Sequence, residues 1–294
     1  MLHLYDSCPY SLQAQQIRLK SACVLSKARI KSLVWGDDAL AFIHFVPANL
    51  NTLHLVVADK DVCLASTEII KSLPYEVFTG IDKNYVEYIW FDPDQSKAFP
   101  NSTHLQLTTP INERSVDDPD IIFIHPQSQF YLDIDNISRS LSLPPFPDNI
   151  QFPTRTAFLD SITTILDPPS GRVNTKLRGM LRVWLSYFFV YTLRNRPSVL
   201  PTGELEQEHA EVLQSLSPEN RPFFEAYTRD GSSDPREHAI RRKEILENLG
   251  CASFLFPQQL ERSHIADRRY EEARRPLPLP IPGNPALRRV LFEI

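Results

Sequence analysis

Ser32-Leu33-Val34-Trp35-Gly36-Asp37-Asp38-Ala39-Leu40, followed by Asn51-Thr52-Leu53-His54-Leu55-Val56-Val57, is the stretch that decides the fold. Ile30 to Trp35 is apolar and of strand length, and Gly36 interrupts it. Asp37 has a side chain suited to capping a helix, predicted from about Asp38 to Phe45. Pro47 stops that helix, because the residue before a proline is pushed out of the helical region. Leu53 to Val57 is a second apolar run, with β-branched Val56 and Val57. A strand, a glycine turn, a helix and a strand within so short a span predict two neighbouring strands of one sheet joined by the helix.

The pattern extends on both sides. Apolar Leu12, Ile17, Leu19, Cys23, Val24 and Leu25 predict an amphipathic helix over Ser11–Ala28. Asp59 and Asp61 open a helix with Val62, Leu64, Ala65, Ile69 and Ile70 inward. Tyr75–Phe78, Tyr88–Phe91, Thr103–Leu107 and Ile121–His125 are expected as further short strands. The resulting expectation is an α/β (α+β) sheet domain over residues 1–140. Leu143-Pro144-Pro145-Phe146-Pro147 and Pro153 mark residues 141–153 as a proline-rich linker. An α-helical domain is expected over 154–256, with helices at Thr154–Leu166, Val173–Asn195 and Glu204–Leu216. Ser217-Pro218 and Asp234-Pro235 each start another, and Gly250 ends the last. Arg274 to Pro282 alternates proline with apolar residues and reads as extended polyproline, so 257–294 is expected to be a mobile tail. Such a segment has the form that docks in an aromatic groove of a protein partner.

Composition narrows the function. The chain has 294 residues, with only 8 glycines against 25 prolines. Dinucleotide fingerprints, P-loops, kinase glycine loops and nucleophile elbows need glycines a few positions apart. The closest pair, Gly171 and Gly179, fits none of them. The first 150 residues hold 11 basic and 18 acidic side chains, a net −7, which leaves +2 for the rest of the overall −5. Such a chain repels a nucleic-acid backbone rather than attracting it. Cys8, Cys23, Cys63 and Cys251 are dispersed, as expected for free thiols of an intracellular protein. The N-terminus lacks the basic and long apolar regions of a signal peptide. Val183–Leu193, bracketed by Arg182 and Arg194, is too short for a bilayer span of about 20 residues, so no membrane association is expected.

Residues 11 to about 135, with Gly36 at the turn and Thr52 and His54 on the second strand, resemble the nucleotidyltransferase fold of the polymerase-beta-like superfamily. Within it they resemble fungal members that have lost the catalytic residues. The resemblance implies a Gly-Gly or Gly-Ser turn that receives a triphosphate at a helix N-terminus. It also implies an Asp-x-Asp pair on the next strand. Alternate strand residues share one face, so that pair would hold magnesium for nucleotidyl transfer. Gly36 matches the first glycine. Asp37 replaces the second small residue, and Asp38 adds a further carboxylate beside it. Unit charges about 4 Å apart in a partly buried site interact by about 4 kcal/mol, so Asp37 opposes a triphosphate. Thr52 and His54 replace the paired carboxylates, and a threonine and an imidazole are poor ligands for magnesium.

Other carboxylate pairs have simpler roles. Asp59-Lys60-Asp61 is expected to cap a helix. Asp92-Pro93-Asp94 and Asp117-Asp118-Pro119-Asp120 are expected as turns, and Asp133-Ile134-Asp135 as a solvated edge or turn. His44 and His54 are candidates to meet near the glycine turn. Trp184, Tyr187, Phe188, Phe189 and Tyr191 are expected to be helix core, and Arg241, Arg242 and Lys243 a solvated face. No catalytic and no metal-ligating residue is therefore assigned, and no cofactor is expected. The expected function is a catalytically inactive, nucleotidyltransferase-like binding or scaffold module whose partner is a nucleotide or protein ligand. The alternative is an active nucleotidyltransferase that holds magnesium through other carboxylates.

Overall fold

The computed structural model describes residues 7–78, 99, 101–166, 175–192, 202, 204, 207–222, 224, 225, 244, 245 and 248. Met1–Ser253 form one compact unit and Phe254–Ile294 a second; every described residue belongs to the first. The expected strand at 88–91, the start at Asp234, the stop at Gly250, the 241–243 cluster, Asp92, Asp94, Cys251 and the polyproline segment lie outside the described residues.

The described architecture is mixed α/β, a seven-stranded mixed sheet with helices packed against it. The strands are β1 (Ser32–Trp35), β2 (Thr52–Val57), β3 (Tyr75–Val77), β4 (Thr103–Leu107), β5 (Ile121–Pro126), β6 (Ser140–Ser142) and β7 (Ile150–Pro153). Their spatial order is β3-β4-β5-β2-β1-β7-β6. β1 and β2 are antiparallel neighbours, with Trp35 opposite His54. β2 runs parallel to β5, with His54 opposite Phe123. β1, β2 and β5 are buried along their whole length, as strands covered on both faces must be. The short helix α3 (Asp37–Phe42) joins β1 to β2, as the strand–glycine–helix–strand order predicts.

The N-terminal helix is broken at Leu19 into α1 (Leu12–Arg18) and α2 (Lys20–Lys27). Ser11 caps the first by accepting from the Ala14 amide at 3.2 Å. α4 (Val62–Ser72) buries Ala65 and Ile69, but Leu64 and Ile70 point outward. Their five-residue apolar set is wider than the one face the helix can turn to the sheet.

The segment expected as a linker is structural. Residues 141–153 supply β7 and all but the first residue of the edge strand β6, and β7 pairs in parallel with β1. Proline is tolerated there because β7 is short and carries its proline at its end, while the turn residues supply the chain reversal. The described helices beyond it are α5 (Arg155–Leu166), α6 (Thr175–Thr192) and α7 (Gln207–Ser215), with a 3₁₀ turn at Pro218–Asn220. α5 packs on β7, and α6 packs on both α3 and α5, so these helices continue the core of the sheet. Leu177, Leu181, Trp184, Leu185, Phe188 and Phe189 are buried on α6. No helix among the described residues is long and apolar enough to cross a membrane.

Candidate functional site

The Gly36 turn sits where β1 ends and α3 begins. Gly36 has φ +70°, a left-handed conformation that glycine adopts without the penalty a Cβ brings. A second constraint acts at the same position. A Cβ at residue 36 would lie 3.1 Å from His54 Cδ2 and 3.1 Å from both Cζ2 and Cη2 of Trp184. The hollow of the turn is filled by an indole from α6 and an imidazole from β2.

Both carboxylates after the glycine are engaged. Asp38 is fully buried and receives Arg18 Nε at 2.5 Å and Nη2 at 3.0 Å. Arg18 also donates to the carbonyls of Leu50 at 2.8 Å and Thr52 at 3.1 Å, so one guanidinium ties α1, α3 and the entry to β2 together. Burial opposes its charge, yet Asp38 more than compensates and holds Arg18 protonated above its ordinary pKa. Asp37 accepts Trp184 Nε1 at 2.6 Å. Loss of water raises the Asp37 carboxyl to about 7; the Trp184 hydrogen bond opposes the rise, and neighbouring Asp38 adds to it. Asp37 thus does not cap its helix, as expected from sequence; its side chain turns away to α6.

Thr52 and His54 share one face of β2, as alternation requires, and form a hydrogen-bonded line with residues distant in sequence. Thr52 Oγ1 lies 3.1 Å from His54 Nε2, and His54 Nδ1 lies 3.0 Å from His125 Nε2 on β5. His125 Nδ1 lies 2.6 Å from Ser102 Oγ, just before β4, and Ser102 Oγ lies 3.0 Å from the end of the Gln129 amide. Burial pushes His54 down to about 3, with His104 and Arg18 adding to the effect. Burial likewise holds His125 well below its ordinary value. Both imidazoles are therefore neutral at pH 7. Rings close around them: Phe123 stacks on His54 at 5.0 Å, and Phe99 and Phe130 approach His125 at 4.7 and 4.6 Å.

The structure thus brings Gly36, Asp37, Asp38, Thr52 and His54 into one region. His44 is elsewhere, packed on Phe158 and Phe188 of α5 and α6, and meets His54 in no described contact. Asp59 accepts the Ser128 amide at 3.0 Å, at the start of a 3₁₀ turn, and Asp61 stands at the N-cap of α4 without a side-chain cap hydrogen bond. Asp133 accepts the Asp135 amide at 2.9 Å in a turn. Sequence reasoning missed Arg18, Ser102, His125 and Gln129. It also missed Asp160 on α5, which gathers Arg139 at 2.6 Å, the Ser217 amide and hydroxyl, and Asn220. A charged residue on a predicted buried helix face was the available signal for Arg18. A histidine inside an apolar strand was the signal for His125, and Ser102 carried none.

Chemically, the region offers hydrogen-bonded carboxylates and neutral imidazoles with little open space at the turn. Among the described residues, no three His, Cys, Asp or Glu side chains gather as a metal-ligand set. No protein-family model matches the chain, and no curated protein matches it.

Proposed function

We propose that the chain is a nucleotidyltransferase-like module that does not transfer nucleotides and acts by binding a nucleotide or protein ligand. The observation that carries this reading is Trp184 in the hollow of the Gly36 turn, its rim atoms 3.1 Å from where a Cβ would stand. In the fold that the Ser32–Val57 stretch resembles, that hollow would receive a triphosphate. The neighbouring side chains support the same reading. Asp38 is engaged by Arg18, Asp37 by Trp184, Thr52 by His54, and His54 also by His125. Thr52 and His54 stand where magnesium-holding carboxylates would be required, and a neutral oxygen and an imidazole nitrogen suit that ion poorly.

The test is a transfer assay with all four ribonucleoside triphosphates, run with Mg²⁺ and with Mn²⁺, beside direct binding of the same nucleotides. No transfer by the native chain is the expected outcome. Transfer that disappears in Asp38→Asn, or on removing another carboxylate near Gly36, would overturn the reading in favour of an active enzyme with relocated ligands. A Thr52→Asp/His54→Asp double variant should gain weak divalent-metal binding, since it restores paired carboxylates to one strand face.

A further inference from the structure

The line that begins at Thr52 ends at a hydroxyl nearer the surface. Ser102 is half-buried, whereas His54 and His125 are fully buried. We propose that Ser102 and His125 form a serine nucleophile and its base, acting on activated carboxylic esters, with His54 and Thr52 positioning the base.

The geometry is that of an activated nucleophile, a hydroxyl in hydrogen-bond reach of a base that a third group orients. The Oγ–Nδ1 separation is 2.6 Å. The four hydrogen bonds of the line can all run in one direction. Ser102 donates to His125 Nδ1, His125 Nε2–H to His54 Nδ1, and His54 Nε2–H to Thr52 Oγ1. The two ends of the Gln129 amide exchange roles by a half-turn, so that Gln129 then donates to Ser102 Oγ. This polarity leaves His125 Nδ1 unprotonated, the state a base requires. Phe99 and Phe130 flank the His125 ring and hold its plane in place.

The step balances without an outside oxidant or metal. Ser102 Oγ attacks the ester carbonyl carbon while its proton passes to His125 Nδ1. The carbon–alkoxide bond then breaks, and His125 returns the proton to the departing alcohol. Water, activated by the same nitrogen, releases the acid and restores Ser102. A base buried among aromatic rings is weakly basic, so only esters with good leaving groups are turned over.

The test uses the whole chain and an alkyl fluorophosphonate, which traps such a serine as Oγ displaces fluoride. Peptide mapping should find one adduct, on Ser102, absent from Ser102→Ala and from the urea-unfolded chain. His125→Gln should slow labelling by about 100-fold or more, as for loss of a general base. No adduct on the folded chain, an adduct at another serine, or equal labelling of the unfolded chain would overturn the proposal. Should His125→Gln fail to fold, Ser102→Cys decides. Its thiol should be alkylated by iodoacetamide faster in the folded chain than in urea, and an equal or slower rate overturns the pairing. His54→Asn should shift the pH profile of labelling; an unchanged profile removes His54 from a positioning role. These outcomes are independent of the nucleotide-transfer assay.

Discussion

Asp37, beside Gly36, carries a carboxyl that titrates near neutrality. Its ordinary pKa is 3.8, and in the folded chain it stands at about 7, chiefly because its surroundings withhold water from the charged form. The folded state therefore binds a proton that the unfolded state has released between about pH 4 and pH 7. Its contribution to stability is fully present below pH 4 and is lost as pH rises through 7. Three units correspond to at most about 4 kcal/mol, an upper bound because part of Asp37 remains accessible. Asp37→Asn should remove this dependence: chemical denaturation from pH 4 to 8 should show a flatter stability profile in the variant, with the largest gain over the native chain at pH 8. Burial raises the carboxyl of Asp38, one residue away, in the same direction, and the bidentate pair with Arg18 opposes that rise. Breaking such a pair leaves a buried charge without compensation.

At the scale of elements, α6 is the helix on which the turn depends. Trp184 meets Trp35 at 4.9 Å and His54 at 5.3 Å, edge-on to both rings, and hydrogen-bonds Asp37. Trp184→Ala should cost about 3–5 kcal/mol in a denaturant melt, as for other large core aromatics. Val183 on the same helix is 48% exposed, and Val183→Ser is the internal control, expected within about 0.5 kcal/mol of the native chain. Equal effects at the two positions would place α6 off the core. The cross-strand row Trp35, His54, Phe123 and His104 runs over β1, β2, β5 and β4. It explains how two histidines are accommodated in buried strands: His54 stacks flat on Phe123, and His104 meets the same ring edge-on.

For the whole molecule, the decisive connection is β7 beside β1. Ser32 and Leu33 pair with Ile150 and Gln151, so the chain returns after residue 140 to complete the sheet that it began near residue 32. Phe152, Phe158 and Ile162 then enter the same core as Trp35 and Phe42. A chain ending at residue 140 should fail to give the dispersed amide spectrum of a folded protein, because β1 would lose a neighbour and that core its α5 and α6 face. A chain ending at Ser253 keeps the whole first unit and should retain it.

The local part of this fold was legible from residue order alone. A strand, a positive-φ glycine, a short helix and a strand are set by propensity and turn chemistry within a few residues. The burial of Trp184, Phe188 and Phe189 on α6 was written in its apolar positions, whereas Tyr187, expected in the core, is exposed because one helix face cannot hold them all. What only the tertiary structure decided are the pairings between residues far apart. A proline-rich stretch looks like a linker, because proline chemistry is local, and only long-range pairing reveals that its flanks complete a sheet. Whether Asp37 caps its own helix or turns to an indole 147 residues away depends on which donor the fold brings nearer. That Thr52 and His54 share one strand face is legible from their alternation. Their partners His125 and Ser102 are not legible, because hydrogen bonds across a sheet follow strand order, and the placement of β5 beside β2 is a property of the assembled core.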